Sequence, residues 1–160
     1  MRLIRILFEF MEALDKIDRR ILRELKNDGR LSNVQLAERI NMSPSACLRR
    51  VQELEKTGVI KGYRAVIDPA RVGRSVIVFV SVGLDRHRKQ DQTEFEQAMN
   101  KAEEVVECHN ISGNVEYLLR VEVESLEDYK RFHTEVLGTV SVVSSIVSHF
   151  AMGCSKDERG

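Results

Sequence analysis

At 160 residues the chain holds one or two small domains, each with its own core. A composition of 42% hydrophobic and 31% charged residues is that of a globular chain, and its longest apolar runs fall well short of the roughly 20 residues a membrane span needs. Formal charge is zero, which by itself argues against a nucleic-acid partner, but residues 1–75 carry 16 Lys+Arg against 10 Asp+Glu and residues 76–160 carry 9 against 15. A basic half and an acidic half cancel, the pattern of a nucleic-acid-binding half joined to a half with another task.

The first ten residues, MRLIRILFEF, join two arginines to a short apolar run. The resemblance to a signal peptide is superficial: Arg5 and Glu9 break the run and no small-residue cleavage site follows. Residues 1–13 read as an extension with two alternatives: Met11 is the natural start, or the segment adds a strand or helix that packs on a partner.

Leu14, Ile17, Ile21, Leu22 and Leu25 then recur at helical spacing, and Asp28-Gly29 ends that helix. Ser32 is a candidate cap for a second helix, with Gln35 at the reciprocal capping-box position and Leu36, Ala37 and Ile40 on its buried face. Asn41-Met42-Ser43 interrupts it. Ser43 caps a third helix, and Pro44 falls at the first helical position, where its missing N–H costs nothing. Leu48, Val51 and Leu54 form the expected buried stripe, and Gly58 is a C-terminal stop.

The opposite face presents Ser45, Ala46, Arg49 and Arg50. Small residues at the leading end let a helix approach base edges, and arginines pair with phosphate or guanine. A short strand is expected over Ile60 to Ile67, with Lys61 and Arg64 beside Tyr63. Three helices and a strand over residues 14–67 make a winged helix-turn-helix, a module that lays one helix in the DNA major groove. Its candidate DNA contacts are Asn33, Gln35, Ser43, Pro44, Ser45, Ala46, Arg49, Arg50, Lys61 and Arg64.

Residues 68–74 read as a linker. From Val76 the period changes: Val76, Ile77, Val78, Phe79, Val80 and Val82 read as a strand buried on both faces. A helix follows over about Gln92 to Glu103, then strands over Val105 to Ile111 and Val115 to Val123, a helix marked by Leu126, Tyr129, Phe132 and Val136, and a strand over Val140 to Met152. The order is βαββαβ, a ferredoxin-like domain over residues 75–153, with residues 154–160 as a tail. Helices on one face of a four-stranded antiparallel sheet leave the other face open, and strands this apolar close it by dimerisation.

Cys47, Cys108 and Cys154 have no metal or redox spacing, and their odd number fits a reducing cytoplasm. Cys47 reads as a small helix-packing residue. His87, His109, His133 and His149 are scattered with no nucleophile–base or metal pattern, so the chain reads as no enzyme and as carrying no metal. Gly113 reads as a hairpin turn residue.

Four segments, LDKIDRRILRELKNDGRLSNVQLAERINMSPSACLRRVQELEKTGVIKGYRAVIDP, SVIVFVSV, ECHNISGNVEYLLRVEV and the terminal strand ending HFAM, resemble the Lrp/AsnC family of transcription regulators. The resemblance runs from Leu14 to Met152. It implies an α+β chain with an N-terminal winged helix-turn-helix and a C-terminal βαββαβ domain that senses a small effector, usually an amino acid, with no cofactor. It further implies cytoplasmic, nucleoid-associated homodimers that assemble to octamers or similar on double-stranded DNA, away from membranes. The effector would sit between subunits near the central turn, at Asn110, Ile111, Ser112, Gly113, Asn114, Val115, Glu116 and Tyr117, with Leu126, His149, Phe150 and Ala151 around it. Backbone N–H groups near Gly113 suit a carboxylate, and Glu116 suits an α-ammonium. The family often has two acidic residues at this turn; here Asn114 and Glu116 leave one. The expected function is sequence-specific transcriptional regulation modulated by an amino acid; the alternative is a nucleoid-organising protein that wraps DNA with little ligand response.

Overall fold

The computed structural model describes residues 14–156. The reading of residues 1–13 as an extension therefore lies outside the described residues. Contacts divide the chain between Ala65 and Val66 into two units.

In the first unit, α1 spans Lys16–Asn27. Its start is a capping box: the Asp15 carboxylate accepts from the N–H groups of Ile17 and Asp18, and Asp18 reaches back to the Asp15 N–H. Helix α2 spans Asn33–Ile40 and ends at Asn41, whose φ of 57° turns the chain out of the helix. Helix α3 spans Pro44–Lys56. Ile21, Leu36, Ala37, Ile40, Cys47 and Leu54 form the buried centre, so Cys47 packs as its small size suggests.

Two expectations fail here. Leu48 is 45% exposed, and the inward stripe of α3 is Cys47, Val51 and Leu54 instead. The reason is geometric: positions 47, 51 and 54 follow the helical period around one side, and 48 sits about 100° further round. Residues 61–68 form no strand and are exposed. A lone extended segment has no ladder partner among the described residues, and alternation alone cannot supply one.

In the second unit, β1 (Val76–Leu84), α4 (Lys89–Lys101), β2 (Val105–Asn110), β3 (Tyr117–Val123), α5 (Leu126–Arg131) and β4 (Val143–Phe150) follow in order. Helix α5 runs on through a π-turn at Phe132–Val136 and a 3-10 turn at Leu137–Thr139. The sheet order is β2-β3-β1-β4, antiparallel throughout, which is the expected βαββαβ arrangement. The strand expected from Val140 starts at Val143, because the Val143 N–H closes a turn onto the Val140 carbonyl.

Strand β1 is not buried on both faces. Val78, Val80 and Val82 are fully buried beside Tyr117, Leu119 and Val121 of β3 and beneath Phe95, Met99 and Phe132. Phe79, on the other face, is 37% exposed, and its strand neighbours are Arg120 and His149. Ile77, Leu118 and Val147 share that second face by register. A Cβ on Gly83 would run into Ser145 Oγ, so a side chain there would require that hydroxyl to move.

Candidate functional site

Helix α3 is placed by its neighbours. Ser32 Oγ accepts from the Gln35 N–H, and Gln35 Oε1 accepts from the Ser32 N–H at 2.9 Å. Asn33 Nδ2 donates to the Pro44 carbonyl at 2.8 Å, tying the start of α2 to the start of α3. Ser43 Oγ accepts from the Ala46 N–H. Asn33, Gln35 and Ser43 thus use their polar atoms to position the pair of helices.

The two arginines of α3 differ. Arg49 is exposed and makes no ion pair among the described residues. Arg50 Nη1 lies 2.7 Å from Asp15 Oδ2 and 2.8 Å from Asp18 Oδ1, clamped to the first turn of α1. These contacts raise the guanidinium pKa, the Asp18 hydrogen bond most. The solvent stripe of α3 consists of Ser45, Leu48, Arg49 and Gln52, while Ala46 is half-buried. Gln52 was missed in the sequence reading, although the spacing 45, 48/49, 52 marks it as one face. Lys61 and Arg64 are exposed on the extended segment after α3. Between them, the Tyr63 hydroxyl donates to Glu55 at 2.9 Å, and partial desolvation of the phenol, then this carboxylate, push its pKa to about 12.

The second candidate site is the β2–β3 turn. The Ile111 N–H donates to the Glu116 carbonyl at 2.8 Å and closes it. Gly113 has φ 150° with open space where a Cβ would be, and Ser112 to Asn114 are exposed. Val115 is half-buried. Glu116 is held from both ends: its N–H donates to the Val82 carbonyl at 3.1 Å, and its Oε2 accepts from the Leu84 N–H at 2.7 Å. The other oxygen, Oε1, is 3.0 Å from His87 Nδ1.

Tyr117 points away from the turn. Its ring centroid is 4.5 Å from that of Phe95, and its hydroxyl donates to Glu96 at 2.8 Å. Burial, then Glu96, pushes that phenol to about 12, while an Asn110 hydrogen bond opposes the rise. The remaining residues named for this site stand apart. Tyr117 pairs with Val82, whereas Phe150 pairs with Val78, four residues or about 13 Å along β1. Leu126, His149, Phe150 and Ala151 are exposed at that far end and do not meet residues 110–117 within one subunit.

Comparison with known proteins follows both halves. A family model described as winged helix-turn-helix DNA-binding matches residues 14–61, and one described as Lrp/AsnC ligand binding domain matches residues 77–160. The chain is 44% identical over 124 residues to the leucine-responsive regulatory protein of Escherichia coli (strain K12), covering 78% of this chain and 76% of that protein. The Klebsiella pneumoniae leucine-responsive regulatory protein matches to the same extent. A transcriptional regulator of Neisseria meningitidis, solved in complex with L-Met, superposes with a TM-score of 0.87 at 33% identity, covering 91% of this chain and 94% of that one. An AsnC family transcriptional regulator from Agrobacterium tumefaciens gives 0.85 at 35%, covering 90% and 94%.

Proposed function

Because this chain belongs to the Lrp/AsnC family of transcriptional regulators, we propose that it is a sequence-specific DNA-binding protein whose assembly or DNA affinity responds to an amino acid. It is a regulator with a helix-turn-helix DNA-binding domain and a ligand-binding domain, and not an enzyme. The observation that carries the reading is the contrast on α3: Arg50 is consumed inside the unit, while Ser45, Arg49 and Gln52 are left on one solvent face. Arg49 offers a fork to phosphate or guanine, and Gln52 suits adenine. Lys61 and Arg64 supply further phosphate contacts. The working place is the cytoplasm, on the nucleoid.

The effector reading rests on Glu116, a fixed carboxylate beside an open glycine turn. An α-amino group donates to Glu116, and the α-carboxylate takes backbone N–H groups of the Ser112–Asn114 turn. Leu126 and residues 149–151 join the site only from a second copy, since one subunit keeps them about 13 Å away. The open sheet face with Ile77, Phe79, Leu118 and Val147 favours such a homodimer, and dimers assemble further to octamers or similar. A ligand that binds one assembly better shifts the population by that difference in affinity.

A second reading is a DNA-wrapping, nucleoid-organising protein with little ligand response. It is favoured by the engagement of both Glu116 oxygens within the subunit. A screen of twenty amino acids on purified protein, read by light scattering and by DNA gel shift, separates the two. A change in mass or in DNA affinity with one of them establishes the sensor. No change with any of them establishes the wrapping protein.

A further inference from the structure

We propose that His87 is a built-in competitor of the effector, occupying the atom of Glu116 that would receive an α-ammonium; this rests on the reading of the Glu116 turn as the effector site. The two oxygens of Glu116 have different surroundings. Oε2 is taken by the Leu84 N–H at 2.7 Å, where the β1–β4 register shifts between Gly83 and Leu84. That bond, together with the Glu116 N–H on the Val82 carbonyl, fixes where the carboxylate points. Oε1 faces His87 Nδ1 at 3.0 Å. The glutamate side chain is only 15% exposed, whereas the imidazole is 77% exposed on the loop between β1 and α4.

One oxygen is therefore held by backbone, and the other by an exposed side chain on an irregular loop. The 3.0 Å between this nitrogen and the carboxylate oxygen is the distance of an ammonium–carboxylate contact. An incoming amino acid takes Oε1 only when the imidazole leaves, and the loop can swing out without breaking a strand. The intrinsic affinity is multiplied by the fraction of molecules in which Oε1 is free. Exposed ion pairs are weak, so the expected penalty is about two- to five-fold in affinity rather than a complete block. His87 thus sets a threshold: it raises, by the same factor for every ligand that needs Oε1, the affinity an amino acid must have before it registers.

Calorimetric titration of the full chain with L-leucine and with L-methionine tests this. His87→Ala should bind about two- to five-fold more tightly than wild type, and His87→Lys, which puts a nitrogen donor back at this position, no more tightly than wild type. Binding seen in His87→Ala but absent from wild type supports the same conclusion. Glu116→Gln keeps an acceptor for the Leu84 N–H and should lose binding, and N-acetyl-L-leucine, which lacks the ammonium, should not compete in any variant. Equal or weaker binding by His87→Ala, with Glu116→Gln still abolishing it, overturns the competitor and leaves the effector site standing. Unchanged binding by Glu116→Gln, or no binding by wild type and His87→Ala alike, overturns both.

Discussion

Arg50 Nη1 of the reading helix lies 2.8 Å from Asp18 Oδ1 in the first turn of α1. The pair joins the first helix to the third and engages an arginine that stands next to the exposed Arg49 in sequence. Substituting both at once would confuse two roles. Arg50→Ala should lower the stability of the helical unit by about 1 kcal/mol, a charge-assisted bond reduced by solvent screening. Urea unfolding followed by circular dichroism measures this. Arg49→Ala should leave the urea midpoint in place and weaken DNA binding. If Arg49 contacts a phosphate, its loss also reduces the slope of log affinity against log salt by about 1. Equal effects of the two substitutions on DNA affinity, with no change in stability, would contradict the assignment.

The same clamp gives a dependence on acid. Asp15 is held below the usual carboxylate range, first by the Asp18 N–H, with Arg50 and the Ile17 N–H adding to the shift against desolvation. A folded-state pKa below the unfolded value stabilises the fold above the unfolded value, about 3.9. That contribution is lost as pH falls through the lowered value. The melting temperature of the helical signal should thus drop more steeply below pH 4 in wild type than in Asp15→Asn. Asparagine caps a helix about as well but carries no charge. Parallel melting curves from pH 6 to pH 3 would exclude a role for the Asp15 charge.

Much of this arrangement is legible in the residues. Caps at Ser32 and Ser43, Pro44 at a helix start and the βαββαβ order all depend on local chemistry that a single chain displays. Arg50 escaped because its partners lie 35 and 32 positions away, and helical spacing does not reveal which outward residue meets a neighbouring helix. The segment after α3 reads as a short strand, yet strand formation requires a second edge, which no local pattern encodes. Tyr117 falls beside the turn in sequence but faces the helices, because alternation from Glu116 puts it on the opposite side of the sheet. Leu126 and residues 149–151 were grouped with the turn by resemblance, and within one subunit the register separates them.

All three tyrosines have phenols pushed above their ordinary value of 10.0. Tyr63 and Tyr117 stand at about 12, and loss of solvent around the phenol is the first cause for each of the three, partial at Tyr63 and fuller at Tyr117 and Tyr129. An alkaline absorbance titration of the native protein should place the tyrosinate steps of Tyr63 and Tyr117 near pH 12 instead of pH 10. Tyr117→Phe removes the donor to Glu96 while keeping the ring against Phe95, and should cost about 1 kcal/mol in urea unfolding. A full step of absorbance near pH 10 in folded protein would contradict the environment of these rings.

The open sheet face makes the assembly testable apart from any ligand. Phe79 and Val147 are 37% and 50% exposed on that face, while Val78 and Val80 on the opposite side are fully buried beneath the helices. An Asp at position 79 would therefore meet solvent in a single subunit, with Arg120 and His149 as its strand neighbours. It would meet a second, like carboxylate across a two-fold interface, where desolvation and repulsion add. A standard interface buries about 800 Å² per partner, and one buried, unpaired charge at its centre is enough to weaken it strongly. Phe79→Asp should then retain its circular dichroism spectrum while its mass by light scattering falls toward that of one chain. A variant that keeps the wild-type mass at micromolar concentration would place the subunit contacts elsewhere on the molecule.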